Sequence, residues 1–205
     1  MSDAFTIKLP TPNQKGGMTL SEATARRRSI REFSPEPVSL SELSQLLWSA
    51  QGVTETSWQL RAVPSAGAIY PLELFIVCGQ GGIEGMDAGI YHYEIDSHSL
   101  KLRHKGDFRA DLAGVALGEA GVNQAPVSLV ICAEYELTLD RYGDRGQRYV
   151  HIEVGHTGQN IYLQATALGL GTVAIGAFSD ERVREVLRLE RQYKPLYIMP
   201  VGRPD

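Results

Sequence analysis

The stretch from Arg148 to Leu168 constrains this chain more than any other. It contains no proline. Val150, Ile152, Val154, Ile161, Leu163, Ala165 and Leu168 put apolar side chains on more than one face of a helix. A helix wetted on one side carries a single apolar stripe, so this one is expected to be central and buried. Gly155 and Gly158 would let another backbone come close. The rest of the chain must then supply layers to cover it.

The flanking sequence reads as alternating cover. Thr19-Leu20-Ser21-Glu22 and Ser39-Leu40-Ser41-Glu42 are capping boxes, in which hydroxyl and carboxylate satisfy free helix N–H groups. They predict a helix from Thr19 to about Arg28 and another ending at Gly52. Leu72–Cys78 and Val127–Ala133 read as buried strands. Gly89–Ile95 and Leu100–Arg103 read as a hairpin across Asp96–Ser99. A helix is expected within Asp107–Leu117, a short strand at Thr172–Ile175, a helix capped by Asp180, and a last strand at Leu196–Val201. Helices and strands alternate irregularly, which favours an α+β sandwich over a regular βαβ series. Residues 1–18 read as an arm and 19–205 as one domain.

Composition closes several routes. With 20 Lys+Arg against 24 Asp+Glu the chain is mildly acidic, which argues against general nucleic-acid binding. No apolar run reaches the length of a membrane helix, and the N-terminus lacks the layout of a secretory signal. A cytoplasmic location is the default expectation. Cys78 and Cys132 sit in apolar runs and read as packing residues. His151 and His156 are five apart, the wrong spacing for a shared metal site on a helix. No nucleophile elbow is present, so a hydrolase has little support.

What remains are two basic segments at opposite ends of the chain. Arg26-Arg27-Arg28-Ser29-Ile30-Arg31 and the terminal Gly202-Arg203 offer guanidinium forks and a hydroxyl suited to phosphate oxygens. If both close on one phosphate, the fold is organised around a phosphorylated cofactor. The first cluster could equally be a solvated helix end, since arginine favours helix C-termini. Gly169–Gly176 fits neither G-x-G-x-x-G nor a P-loop. It reads as a helix stop and a turn, or as a strand end small enough for its backbone to meet a flat ring. Pro64-Ser65-Ala66-Gly67-Ala68 is either an ordinary turn or a set of uncluttered donors beside a planar ligand.

Taken in order, these segments resemble the FMN-dependent nitroreductase superfamily, and within it the SagB-type oxidoreductases. The resemblance is carried by Arg27–Phe33, Leu46-Leu47-Trp48, Pro64–Glu73, Gly89–Tyr93, Tyr142–Tyr149, Glu153–Asn160, Gly169-Leu170-Gly171, Ile175-Gly176 and Pro200-Val201-Gly202. It implies a mixed β-sheet sandwiched by helices, in an intertwined homodimer with FMN at the interface. Arg27, Ser29 and Arg31, with Arg28 nearby, would hold the phosphate and ribityl chain, and Arg203 would reach the phosphate. Pro64, Ser65, Ala66 and Gly67 would come from the partner subunit. Val173, Ala174, Ile175 and Gly176 would pass the flavin, with an amide of Ile175 or Gly176 facing N5.

The implied activity is hydride transfer to or from a small organic substrate by a ping-pong route, with NAD(P)H as the expected donor. A flavin-binding sensor or carrier without turnover is the alternative, and an anionic-polymer binder ranks below both. Certain features depart from the relatives. Arg141-Tyr142 stands where azoline oxidases carry Lys-Tyr, and arginine is no general base. Tyr142 is then expected only to position substrate. Ala68 stands where many nitroreductases have asparagine. No leader-binding domain is expected within the 205 residues, which counts against toxin maturation, and the long arm that wraps the partner in many relatives is not expected after Arg203.

Overall fold

The computed structural model describes residues 5–205; the first four residues of the expected arm lie outside the described residues. A seven-stranded sheet forms the middle layer. In chain order its strands are β1 (Thr6–Lys8), β4 (Leu72–Cys78), β5 (Gly89–Glu94), β6 (Ser99–Lys105), β7 (Val127–Glu134), β8 (Gly171–Thr172) and β9 (Tyr193–Gly202). Their spatial order is β1-β6-β5-β4-β7-β9-β8. A two-stranded ribbon, β2 (Val53–Glu55) and β3 (Leu60–Arg61), stands apart from the sheet.

The helices are α1 (Leu20–Arg26), α2 (Leu40–Gln51), α3 (Arg109–Val115), α4 (Ala120–Gln124), α5 (Tyr135–Tyr142), α6 (Arg145–Ala167) and α7 (Asp180–Leu187). Side chains alternate across the sheet, so β4 and β7 feed two cores. Leu74, Ile76, Leu129 and Ile131 join Leu43, Leu46 and Leu47 of α2 and Val150, Val154 and Ile161 of α6. Phe75, Val77, Val130 and Cys132 join Leu112 of α3, Val122 of α4, and Val183 and Leu187 of α7. The result is the α+β sandwich expected, with helices on both faces.

Several details differ from the sequence reading. Among the described residues all strand ladders are antiparallel, and parallel pairing survives only as the isolated bridges Ser29–Thr172 and Val38–Ile83. Residues 6–8 of the arm are an edge strand on β6. The strand expected at Thr172–Ile175 stops at Thr172, and Ile175 makes a lone bridge to Ile198. Asp180 does not cap α7; Ser179 holds that position, without a side-chain bond. Both capping boxes form as read.

The long helix departs most. Val150, Glu153, Val154, Thr157, Gly158, Ile161 and Ala165 are buried, whereas Arg148, Ile152, Gly155, His156 and Gln159 are exposed. Ile152 is 48% exposed, and a Cβ built on Gly155 meets nothing within 4 Å. One chain therefore covers only one face of α6.

Candidate functional site

The first arginine cluster is laid out by the end of α1. The Thr19 capping box starts this helix, and it stops at Arg27, whose backbone turns extended (φ −49°, ψ 124°). The chain then runs beside β8, where Ser29 bridges Thr172 and the Ile30 N–H donates to the Thr172 carbonyl at 2.9 Å. The approach is close because residue 171 is glycine; a Cβ there would come 2.7 Å from Ile30 Cβ. In turn β8 pairs with β9, Gly171 opposite Gly202 and Thr172 opposite Val201. Past the cluster, the Ser34 N–H donates to the Arg203 carbonyl at 3.0 Å, and Phe33 bridges Pro204. The backbones of the two basic segments thus share one seam.

Their side chains differ in charge balance. Among the described residues, none of Arg26, Arg27, Arg28 and Arg31 takes part in an ion pair. Arg28 Nη1 donates to the carbonyls of Ala25 (3.0 Å) and Arg27 (2.7 Å) at the end of α1. Arg203 is instead held by carboxylates, with Nε 3.2 Å from Glu36 and Nη2 3.0 Å from Glu42. Partial burial works against the Glu42 carboxylate, but hydrogen bonds from Ser39 and Arg203 hold its pKa below the usual value. The hydroxyls of Ser34 and Thr172, which border the seam, are buried and have no partner among the described residues.

Tyr162 of α6 ties this region together, and the sequence reading passed over it. Its hydroxyl lies 3.1 Å from Ser29 Oγ and accepts the Ala174 N–H at 2.8 Å. Its ring lies beneath the Arg27 guanidinium, 5.1 Å from centroid to Cζ. Tyr162 comes two residues after the Glu153–Asn160 segment, where it reads as one more helix position.

In the Val173–Gly176 segment, Val173 and Ile175 are buried, Ala174 is half-buried and Gly176 is exposed. The Ile175 N–H donates to the Ile198 carbonyl at 2.9 Å. Of the two amides expected to face a ligand, this leaves Gly176. Gly176 and Gly158 both lie against the Tyr197 ring, their built Cβ atoms 3.5 and 3.4 Å from it.

Pro64–Gly67 lies elsewhere. Pro64 and Gly67 are exposed, and a single 3₁₀ turn spans Ala66–Ala68. Gly67, Ala68 and Tyr70 all have positive φ, at 64°, 54° and 56°. Such strain in non-glycine residues persists only where the surroundings enforce it. Two flanks do so. From α5, Arg141 Nη1 donates to the Gly67 carbonyl at 3.3 Å, and a Cβ on Gly67 would lie 2.6 Å from the Tyr142 hydroxyl. From α6, the buried Glu153 carboxyl meets the Ser65 hydroxyl. Tyr142 also packs edge-on against Tyr149, with centroids 5.0 Å apart.

The seam meets α6 at Tyr162 and the loop meets it at Glu153. At 1.5 Å per residue these contacts are about 13 Å apart along the helix axis. Within one chain the structure unites Arg27, Ser29, Thr172, Ala174 and the Arg203 backbone, but not Pro64–Gly67. The cysteine reading fits its surroundings. Cys78 and Cys132 are buried and free. Burial pushes the Cys78 thiol up to about 11 and raises that of Cys132 as well. His151 Nε2 lies 2.6 Å from the Tyr135 hydroxyl, and His156 is exposed.

Comparison with known proteins places the chain as a whole. The Nitroreductase family model matches residues 24–203. A Methanocaldococcus jannaschii protein provisionally named a nitroreductase is 44% identical over 203 residues, covering 99% of this chain and 98% of that protein. The Escherichia coli microcin B17-processing protein is 27% identical over 169 residues, covering 80% of this chain and 62% of that protein. A solved Ralstonia eutropha structure, also provisionally a nitroreductase, superposes with a TM-score of 0.85 at 27% identity. It covers 98% of this chain and 90% of that one.

Proposed function

Because the chain belongs to the nitroreductase family, we propose that it is an FMN-dependent oxidoreductase acting as a homodimer on a small organic substrate. The family and its relatives support an oxidoreductase role in general terms. The observation that carries the finer reading is the cationic seam: Arg27, Arg28 and Arg31, which take part in no ion pair among the described residues, beside Ser29, on the strip that holds the Arg203 backbone. Arginines free of ion pairs on either side of a hydroxyl in the sequence fit a dianionic phosphate.

In this reading Arg27, Arg28, Ser29 and Arg31 hold the phosphate and ribityl chain. Arg203 contributes through Nη1, which its two carboxylates leave free. Tyr162 fixes the Ser29 hydroxyl and keeps the Ala174 turn in place, which presents the Gly176 amide toward the ring edge. Pro64, Ser65, Ala66 and Gly67 reach the ligand of the second protomer, consistent with their distance from the seam in one chain. The exposed face of α6, with Ile152 and Gly155, forms the contact between copies. When bound, FMN supplies two-electron redox chemistry that none of these side chains can perform. The protein would bind and orient it, and the Gly176 N–H at the ring edge would favour the reduced, anionic form. Arg141 takes no proton, and Tyr142 lines the substrate side of the loop. NAD(P)H is the proposed donor, on family grounds alone.

The absorbance spectrum of the purified protein tests the reading. A yellow protein bleached by NAD(P)H and recoloured by a nitro or quinone acceptor is expected. A colourless protein that takes up no added FMN ends it.

A further inference from the structure

Three successive residues after β8 are held by three different partners. The Ala174 N–H donates to the Tyr162 hydroxyl of α6 at 2.8 Å. Ile175 exchanges two hydrogen bonds with Ile198 of β9, its N–H donating at 2.9 Å and its carbonyl accepting at 3.0 Å. Gly176 is exposed, and its N–H has no partner among the described residues. What lies against Gly176 is the ring of Tyr197. The next backbone hydrogen bond along the segment is from the Ser179 N–H to the Val115 carbonyl, at 3.2 Å.

Tyr197 follows an irregularity in β9. Ile131 pairs with Tyr197 and Cys132 with Pro195, so Leu196 is an extra residue. Bulges re-aim side chains and recur next to functional sites. Here Leu196 and Tyr197 both pack into the core on the α6 side of the sheet. The ring spans the space between α6 and the segment after β8. Its Cδ2 and Cε2 atoms lie 3.4 Å from a Cβ built on Gly158, and its Cε1 lies 3.5 Å from one built on Gly176. Opposite edges of one ring thus rest on two glycines, neither of which has a side chain to fill the space without it. Gly158 comes one turn before Tyr162, so one face of α6 holds Ala174 directly and Gly176 through the ring. The Tyr197 hydroxyl has no partner among the described residues, so the contact is one of shape.

The bridge to Ile198 gives the Gly176 amide its direction. In a trans peptide the N–H points opposite to the carbonyl of the preceding residue, and the Ile175 carbonyl points at β9. The Gly176 N–H therefore points away from β9. One hydrogen bond on that carbonyl leaves the peptide free to roll about its axis, and a glycine backbone resists little. We propose that Tyr197 is a positioning residue: its ring is the spacer that blocks this roll and holds the free Gly176 N–H on its acceptor, and its hydroxyl is not required. Hydrogen bonds weaken steeply off line, so the roll matters. The inference rests on the reading that this amide meets the edge of the bound flavin.

NMR relaxation of the Gly176 N–H in the purified full-length protein tests the spacer, with Gly89 of the distant hairpin as control. The wild type and Tyr197→Phe should both show a rigid bond, with an order parameter of about 0.85. Tyr197→Ala should drop Gly176 below about 0.6 while Gly89 stays rigid. Tyr197→Leu, which keeps part of the volume, should fall between them and carries the test if the alanine variant does not fold. FMN affinity, from fluorescence titration, should be unchanged in Tyr197→Phe and about tenfold weaker in Tyr197→Ala, the loss of one hydrogen bond. A Gly176 amide that stays rigid in Tyr197→Ala and Tyr197→Leu would overturn the proposal. So would a phenylalanine variant as mobile as the alanine one, or a mobile amide with FMN affinity unchanged. A protein that takes up no FMN would sink the FMN reading, and the order parameters would still decide whether the ring is the spacer.

Discussion

The seam around Arg27–Arg31 and the loop around Pro64–Tyr70 solve opposite problems. The seam is exposed, cationic and held by main-chain bridges to β8 and β9. Its arginines take part in no ion pair among the described residues, so their charge is available to an anion. The loop carries no charge of its own. It is held by side-chain hydrogen bonds and carries two strained backbone positions, Ala68 and Tyr70. Charge left uncompensated at a surface costs little in water and is gained back on binding, whereas a buried polar circuit is costly when any member fails. Substitutions in the seam should therefore be read in ligand affinity, and substitutions in the loop circuit in folding stability.

The sharpest break of this contrast comes from Glu153. Its pKa in the folded protein lies above the ordinary value of 4.5, at about 7, chiefly because of burial. The folded state therefore binds more protons than the unfolded state between those values. The stability that Glu153 contributes is fully present below about pH 4.5, declines as pH rises to about 7, and is level above. At about 1.4 kcal/mol per pH unit the loss is about 3 kcal/mol. The Glu153→Gln variant should match the wild type near pH 5 and exceed it near pH 8 by up to that amount, as read by denaturant unfolding. Equal stability at both pH values would show that burial does not raise the Glu153 pKa.

A smaller effect separates the two basic segments from each other. Arg27→Ala should weaken FMN binding by about 2 kcal/mol with the melting temperature unchanged, because it removes a charged donor that has no carboxylate partner. Arg203→Ala should weaken FMN binding and also lower stability, because it strands the half-buried Glu42 and leaves Glu36 unpaired. Fluorescence titration with FMN and thermal unfolding distinguish the outcomes. If the two variants behave alike, the division between a free cluster and a satisfied terminal arginine is wrong.

What the sequence disclosed follows from the range of the interactions. The Thr19 and Ser39 boxes, the buried strands and the 89–105 hairpin depend on neighbours within a few positions, and all were readable. The residue types of the two basic segments raised their convergence as a condition, and no local pattern could decide it, because the Ile30–Thr172 and Ser34–Arg203 bonds join residues far apart in the chain. β1, β2 and β3 are two or three residues long and have no periodicity of their own. α5 follows β7 with no capping side chain, so nothing local marks its start. Glu153 and Tyr162 look like ordinary helix positions until β3, the loop and β8 are folded around them. The exposed face of α6 was misread for a related reason: apolar residues on two faces do not say whether the second cover comes from the same chain.

The smallest effect tests what positions the seam. The Thr19 hydroxyl accepts the Glu22 N–H at 3.3 Å, and the Glu22 carboxylate accepts from the Thr19 N–H and hydroxyl at 3.1 and 2.9 Å. Losing such a cap costs about 1 kcal/mol. Thr19→Ala should lower stability by that amount and change FMN affinity by less. Arg27 already lies at the C-cap of α1, and the residues after it are set by the bridge to Thr172 and the close approach of Ile30 to Gly171. The helix can fray at its start while the strand side of the cluster stays in place. A loss of FMN affinity as large as that of Arg27→Ala would reverse the argument. The short helix, and not the β8 seam, would then orient the arginines, and the contrast with the loop would be one of charge alone.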